Sequence, residues 1–519
     1  MGKISVSPEG TRYDLPDAAA DEQEIKLLRE ITARQRSMGR KIVAVQGLGF
    51  VGAVMAAVVA DAVDKNGRPF YFVHGVQRPS TRSYWKVPVI NEGLPPVEAE
   101  DPEIPEIFSR TVKQKGTLRA TWQEYAFELA DIVVVDIQLD ATKPVFGDAA
   151  KGYVDTEAFE KAITVLGQHI TPEALVLIET TVPPGTSQHI VKPILDREFR
   201  KRGIDTEKHP PRIAHSYERV MPGRNYVSSI RDFWRTYSGI DKTSEQMARE
   251  FLTNVLNTSE FPLYCLGNTN ASEIAKTLEN SFRASNIALI HEWTLLAEDV
   301  GVNLFEVIRS IRVRPTHRNI MAPGFGVGGY CLTKDPVLAH WASMNIFGRK
   351  MGLDMAVKAV DINDLMPLHT LDLTKQALGG TLNGKRVCIL GASYLKDVGD
   401  TRHSPSETFW KALVKEGAIA SVHDPLVKVW PEVPEAKVHK DLFGFLAGAD
   451  AVVFAVGHKE YLDLEPGKVV AATGKTPAII DAQDLLTDEK IKEYLRLGCE
   501  VKGVGKGHIP ALKAEIQVQ

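Results

Sequence analysis

The sequence predicts an α/β protein in which two parallel-sheet domains flank a central all-helical one. Three observations carry this. A β-branched run at Lys41–Val45 passes through a glycine turn into an apolar helix and a second strand. Strand signals fall away between Ser244 and about Gly379, where helical patterning dominates. The α/β texture then returns from Arg386 onward. Strand, turn, helix and strand form a βαβ unit, and repetition of that unit gives a parallel sheet.

Residues 1–40 are polar and charged, with a helix expected over Asp21–Met38 whose alternating acids and bases predict a solvated extension. The first sheet domain is expected over 41–243. Its opening strand leads into Gly47-Leu48-Gly49-Phe50-Val51-Gly52, then an apolar helix expected to stop at the C-cap signal Asn66-Gly67. Strands follow at Phe70–Val76, Ile132–Val135 and Leu175–Ile178. The helical domain is expected over 244–380. Its main element starts at Asn270, with Asn270 as cap and Glu273 reaching back in a capping box, and stops at Gly301. A helix of about thirty residues is long for a globular domain, and its length predicts a two-fold dimer contact. The second sheet domain is expected over 381–519, with strands at Arg386–Leu390, Ala420–Val422, Ala451–Val456 and Ala478–Ile480 and a helix starting at Ser404-Pro405.

Composition narrows the function classes. With 62 Lys+Arg against 66 Asp+Glu the net charge is −4, so no basic surface for nucleic acid or an anionic membrane is expected. The four cysteines, Cys265, Cys331, Cys388 and Cys499, lack metal-site or disulfide spacing, and no metal is expected. The start of the chain lacks the apolar core of a signal peptide. The longest apolar stretch, Val51–Val63, is too short to span a membrane and carries Asp61. Together these predict a cytoplasmic, thiol-reducing setting.

Three motifs carry chemistry. Gly47, Gly49 and Gly52 form GxGxxG between a strand and a helix, the context in which backbone N–H groups cradle a dinucleotide pyrophosphate. The acidic residue expected at the end of the next strand is absent, since the chain reads Val76-Gln77-Arg78. In Pro323-Gly324-Phe325-Gly326-Val327-Gly328-Gly329-Tyr330-Cys331-Leu332-Thr333-Lys334-Asp335, glycines leave little bulk around a cysteine that has a cation nearby, the setting of a nucleophilic thiolate. Lys276 and Asn280 lie one helical turn apart, with Ile274, Ala275, Leu278 and Phe282 around them, which predicts a buried functional face.

These motifs, with ETTVPPGT (179–186), ERVMPGR (218–224) and KDVGDTRHSP (396–405), occur in one order over about residues 41–510. In this the chain resembles the UDP-glucose/GDP-mannose dehydrogenases, and ERVMPGR is closer to members acting on UDP-N-acetylhexosamines. The resemblance implies two Rossmann-like domains around a helical dimerisation domain. It also implies NAD-dependent oxidation of the C6 alcohol of a nucleotide sugar to the uronate, for polysaccharide biosynthesis. Cys331 would form a thiohemiacetal and then a thioester, Lys276 would stabilise the oxyanion, and Asn280 would hold that geometry. Asp335 would orient water, Glu218 would act as general base in hydrolysis, and Thr181 would line the nicotinamide side.

The cofactor set implied is Gly47, Gly49, Phe50, Val51, Gly52, Gln77, Arg82, Thr181 and Arg402. The substrate set is Glu218, Arg219, Val220, Met221, Lys276, Asn280, Arg314, Arg318, Gly328, Tyr330, Lys396 and Gln483, with Arg314 or Arg318 reaching a partner's site in a homodimer. Several positions depart from the family pattern. Gln77 replaces the ribose-binding Asp, which leaves room for NADP as well as NAD. Gln138-Leu139-Asp140-Ala141 replaces a Thr-Pro turn, Tyr217 a proline, Leu395 a phosphate-binding lysine and Gln483 an arginine. UDP-glucose 6-dehydrogenase activity is the alternative reading, and a catalytically altered binding or regulatory homologue a further one. A two-electron hydroxyacid dehydrogenase would need neither the cysteine nor the last 130 or so residues.

Overall fold

The computed structural model describes residues 3–97, 99–221 and 223–518. The chain divides into two compact units. The first comprises Met1–Thr142, Val154–Thr277 and Trp341–Lys350; the second comprises Lys143–Tyr153, Leu278–His340 and Met351–Gln519.

The first unit opens with β1 (Ile4–Val6) and β2 (Arg12–Asp14), an antiparallel hairpin, and α1 (Ala18–Ser37), capped by Asp17. Then come β3 (Lys41–Gln46), α2 (Phe50–Asp61), β4 (Tyr71–Val76), α3 (Lys86–Asn91), α4 (Glu103–Ser109), β5 (Leu118–Thr121) and β6 (Ile132–Val135). After the two-residue strands β7 (Ala141–Thr142) and β8 (Tyr153–Val154) follow α5 (Glu157–His169), β9 (Leu175–Ile178), α6 (Lys192–Lys201), β10 (Arg212–His215), α7 (Tyr226–Arg231), β11 (Thr236–Gly239), α8 (Lys242–Val255), β12 (Tyr264–Cys265) and the start of α9 (Thr269–Asp299). The eight-stranded sheet runs β12-β11-β10-β9-β6-β3-β4-β5 and is parallel except where β11 meets β10. Strand order reverses between β3 and β6, so the crevice beyond their C-terminal ends is the topological switch point where doubly wound sheets bind ligands. Residues 53–60 of α2 are all buried, as an all-round apolar helix must be.

Within the second unit lie the rest of α9, α10 (Leu304–Arg312), α11 (Cys331–Asn345) up to His340, α12 (Asp354–Ala377), β13 (Arg386–Leu390), α13 (Pro405–Lys415), β14 (Ile419–His423), β15 (Val438–His439), α14 (Leu442–Leu446), β16 (Ala451–Phe454), α15 (Lys459–Leu462), α16 (Pro466–Thr473), β17 (Ala478–Asp481), α17 (Asp488–Arg496), β18 (Val501–Gly503) and α18 (Ile509–Val518). Its six strands, β15-β14-β13-β16-β17-β18, are all parallel. Ser404 caps α13 through the Ser406 N–H, as its Ser-Pro start requires.

Three local expectations are corrected. α2 ends at Asp61, and Gly67 sits instead in the turn Asp64–Arg68, where Asp64 Oδ1 accepts from the Asn66 and Arg68 N–H groups. The cap of α9 is Asn268, which accepts from the Ala271 N–H at 3.0 Å. The extension is more than a solvated arm, because α1 buries Glu24, Leu28, Thr32 and Gln35 on one stripe. Glu24 pairs with Arg119 at 2.7 Å, and Thr32 bonds His74 at 3.0 Å.

Candidate active site

In the first unit the glycine turn caps the switch-point crevice. Gly47 has φ +98°, and a Cβ there would stand 2.7 Å from the Asp136 carbonyl oxygen. A Cβ on Gly52 would meet the Gly47 carbonyl at 2.1 Å, so both positions admit only glycine. At Gly49, the N-cap of α2, nothing lies within 4 Å of a Cβ, and no side chain caps the helix. Backbone N–H groups at a helix start with no side-chain cap are what a pyrophosphate needs, so the residues fit a dinucleotide. Phe50 and Val51 form the first turn of α2, and Phe50 stacks on Tyr226 at 4.8 Å.

Gln77, just past β4, is tied into the turn. Its Oε1 accepts from the Leu48 N–H at 3.0 Å and its Nε2 donates to Ser83 at 3.2 Å. Lys86 Nζ donates to the Leu48 carbonyl at 2.9 Å. Arg78 and Arg82 are exposed beside it.

Beneath the turn lies a charged cluster that motif reasoning missed. Half-buried Asp136 stands beside fully buried Glu179, and Arg235, itself 2% exposed, donates to Glu179 at 2.6 Å. Desolvation and the neighbouring Glu179 hold the Asp136 carboxyl well above the usual range. No local motif flags Asp136 or Arg235; their meeting depends on the strand order.

Glu218 follows β10. Lys276 Nζ donates to its carbonyl at 3.0 Å and stands 3.8 Å from its carboxylate, with both side chains nearly buried. Lys276 also lies over the Tyr217 ring at 5.4 Å, and Arg219 covers the same ring at 5.4 Å. The Val220 N–H donates to the Glu218 carboxylate, while Met221 is half exposed. Pro222 of the same motif lies outside the described residues. Thr181 is buried at the start of the 181–187 turn. Glu273, expected in a capping box, grips that turn instead: it accepts from the Gly185 N–H at 2.7 Å and the Ser187 N–H at 2.9 Å. Burial pushes its carboxyl up to about 7. His215 bonds Ser272 at 2.7 Å, and burial pulls its imidazole down to about 3.

In the second unit, Asn280 Nδ2 donates to Asp335 Oδ2 at 2.6 Å, with both side chains buried. Asp335 lies one turn into α11, and exposed Cys331 is the first residue of that helix. Thr333 pins the helix start by donating to the Gly329 carbonyl at 2.8 Å. The glycines before the cysteine serve packing: a Cβ on Gly328 would lie 2.4 Å from Tyr394 Cβ, and one on Gly329 2.9 Å from the Tyr394 ring. Arg402 pairs with Asp400 and covers the Tyr330 ring at 4.8 Å, and Tyr330 meets His403 edge-on. Asp397 and His403 in this loop hold left-handed φ of 57° and 53°. Lys396 is exposed, Gln483 lies alongside Gly324, and Arg314 and Arg318 flank the exposed turn Pro315–His317. Among the described residues, no group of three His, Cys, Asp or Glu is placed to hold a metal ion, and no helix is long and apolar enough to cross a membrane.

Ile274, Leu278 and Phe282 were expected around Lys276 and Asn280 on a buried face. They are 37%, 42% and 57% exposed and occupy the opposite side of α9.

Three models of one family match the chain in order. The NAD binding domain of the UDP-glucose/GDP-mannose dehydrogenases matches residues 41–250, the central domain 270–364 and the UDP binding domain 388–488. The chain belongs to the UDP-glucose/GDP-mannose dehydrogenase family. It is 28% identical to the UDP-N-acetyl-D-mannosamine dehydrogenase of Pyrococcus horikoshii over 90% of this chain and all of that protein. Against the same-named enzyme of Methanocaldococcus jannaschii it is 30% identical, over 64% of this chain and 72% of the other. The structure of NDP-N-acetyl-D-galactosaminuronic acid dehydrogenase from Methanosarcina mazei superposes with a TM-score of 0.76 at 31% identity, covering 93% of this chain and 98% of that one. As a UDP-glucose/GDP-mannose dehydrogenase the chain is an NAD-dependent oxidoreductase of nucleotide sugars, and it is similar to members named UDP-N-acetyl-D-mannosamine dehydrogenase.

Proposed function

We propose that the chain oxidises the C6 alcohol of a UDP-N-acetylhexosamine to the uronate by a covalent route through Cys331. The observation that carries this is the buried Asn280–Asp335 hydrogen bond, which fixes a carboxylate one turn into the helix that Cys331 opens. Gly47, Gly49, Gly52 and the first turn of α2 would hold NAD, which when bound supplies hydride acceptance, twice per sugar.

Loss of a hydride and a proton from the alcohol gives an aldehyde. Cys331 Sγ adds to its carbon to form a thiohemiacetal, and Lys276 stabilises the oxygen that carries negative charge. Loss of a second hydride and proton converts this to a thioester. Water then attacks, the C–S bond breaks and the carboxylate leaves. Two hydrides and three protons are thus removed from one alcohol and one water. The start of a helix favours a thiolate over a thiol through its partial positive charge. Asp335, held by Asn280, positions water and receives its proton, and Glu218 serves as the base in hydrolysis. Gly328, Tyr330, Lys396 and Gln483 belong to the nucleotide-sugar set, and Arg402 to the cofactor set.

Active enzyme is a homodimer through α9, whose exposed apolar side (Ile274, Leu278, Phe282, Leu289, Leu296) supports the reading. Light scattering at micromolar concentration gives twice the chain mass; a monomer refutes the dimer. The substrate reading is tested with a panel of UDP- and GDP-sugars. Two NADH formed per UDP-N-acetylhexosamine consumed is the expected result, and one NADH per sugar overturns the four-electron course.

A further inference from the structure

The NAD binding domain match starts at residue 41, yet the segment before it is tied to the loop that faces the dinucleotide turn. In the β1–β2 hairpin, Ser5 pairs with Tyr13 and is fully buried. Its Oγ accepts from the Trp85 backbone N–H at 3.1 Å. Trp85, 8% exposed, donates its indole N–H to the Arg82 carbonyl at 3.1 Å and closes the turn between them. The next residue is Lys86, whose ammonium holds the Leu48 carbonyl; Gln77, at the other end of the same loop, holds the Leu48 N–H. Leu48 stands between Gly47 and Gly49, so its two peptide groups are clamped by a loop that is itself anchored on Ser5. A second tether runs from α1, where Asp21 accepts from the Trp122 indole at 2.6 Å and Trp122 packs edge-on against Tyr84.

We infer that the N-terminal hairpin positions the dinucleotide site: Ser5, acting through Trp85 and Lys86, holds residues 77–86 against Leu48 and thereby sets affinity for the adenosine and pyrophosphate half of NAD. Two general facts connect the geometry to affinity. The glycine turn presents the pyrophosphate-binding N–H groups, and the end of the second strand meets the adenosine ribose. A loop already ordered before binding loses less entropy when the ligand arrives, and so binds more tightly. Without Ser5 the Trp85 N–H loses its buried acceptor, the loop loosens, and NAD must order it. Ser5, Trp85 and Lys86 are positioning residues.

The test uses full-length Ser5→Ala, Ser5→Cys, which keeps the volume but accepts hydrogen bonds weakly, and Lys86→Met. In each, the Kd for NAD by titration calorimetry rises about fivefold to tenfold, while the Kd for UDP stays within twofold. KM for NAD rises with kcat at saturating NAD within twofold. In the NAD-free protein, amide exchange of residues 78–90 and of Leu48 accelerates, whereas exchange in β16 and β17 is unchanged. Faster exchange with an unchanged Kd for NAD would make the hairpin structural only and overturn the inference. So would unchanged exchange in both Ser5 variants. If Ser5→Ala does not fold, Ser5→Cys decides.

Discussion

Replacing Glu273 by Gln tests whether one buried carboxylate holds the turn that carries Thr181. Both of its oxygens accept backbone N–H groups, from Gly185 and Ser187, and the side chain is fully buried. Burial raises the carboxyl from 4.5 to about 7. Between those values the folded protein binds a proton that the unfolded chain releases, so stability falls as pH rises through the window and is flat on either side. At ~1.4 kcal/mol per pH unit, the charged form costs the fold about 3 kcal/mol above pH 7. A glutamine does not titrate, but its NH2 faces one of the two N–H donors and leaves it unsatisfied, at a cost of about 1–3 kcal/mol at every pH. The variant is therefore less stable than the parent near pH 5, and the gap closes or reverses near pH 8.5. Scanning calorimetry across that range reads the change as a movement of about 5–10 °C in the Tm difference of the first transition, in favour of the variant. Parallel curves for the two proteins would refute the assignment of a titrating Glu273.

Three further outcomes are expected. Cys331→Ser loses uronate formation by about a hundredfold or more, because a hydroxyl is a far poorer nucleophile than a thiolate; intact-mass measurement checks for a slow ester, and two NADH per sugar at the parent rate would rule out the covalent route. NAD is preferred but NADP is used measurably, since neutral Gln77 does not repel a 2′-phosphate and Arg78 and Arg82 are exposed beside it; Arg82→Glu removes NADP use in steady-state kinetics while NAD use persists, and strict rejection of NADP by the parent contradicts the placement. His74 is held down to about 3 by burial, so stability falls as pH drops from 6.5 toward that value, and His74→Gln makes the acid-side fall in Tm shallower, whereas an unchanged slope contradicts a neutral buried imidazole.

What was legible in the sequence is what local pattern encodes. The strand–glycine–helix context located the Gly47–Gly52 turn, which the strand order then puts at the switch point, and β-branched runs located β6, β9, β13 and β17 with their ends nearly right. Runs such as RIAH and TYSG were too short and mixed to read as β10 and β11, and only pairing makes them strands. Alternating charge on α1 hid a buried polar stripe, because Glu24 and Thr32 are buried against partners 95 and 42 residues away. Asp136 and Arg235 were invisible for the same reason. Glu273 fitted a capping rule, but the 181–187 turn offered two N–H groups and took its carboxylate.

The long helix shows how chemistry overrode the usual patterning. A helix on a protein core turns its apolar stripe inward, and α9 does the reverse over its first three turns. Ser272, Glu273, Lys276 and Asn280 are buried, each bonded to a named partner, while Ile274, Leu278 and Phe282 face outward. Burying an ammonium and a carboxylate is tolerable only because each is hydrogen-bonded, and those bonds fix side-chain positions that a solvated charge would not hold. The exposed leucines and phenylalanine are the other consequence of that choice. At about 25 cal/mol per Å², such a stripe leaves unused stabilisation on this surface that a second copy of the same face would recover in the proposed two-fold dimer. The inverted helix thus links the fixed lysine of the proposed chemistry to the proposed assembly, since both follow from which side of α9 carries its polar residues.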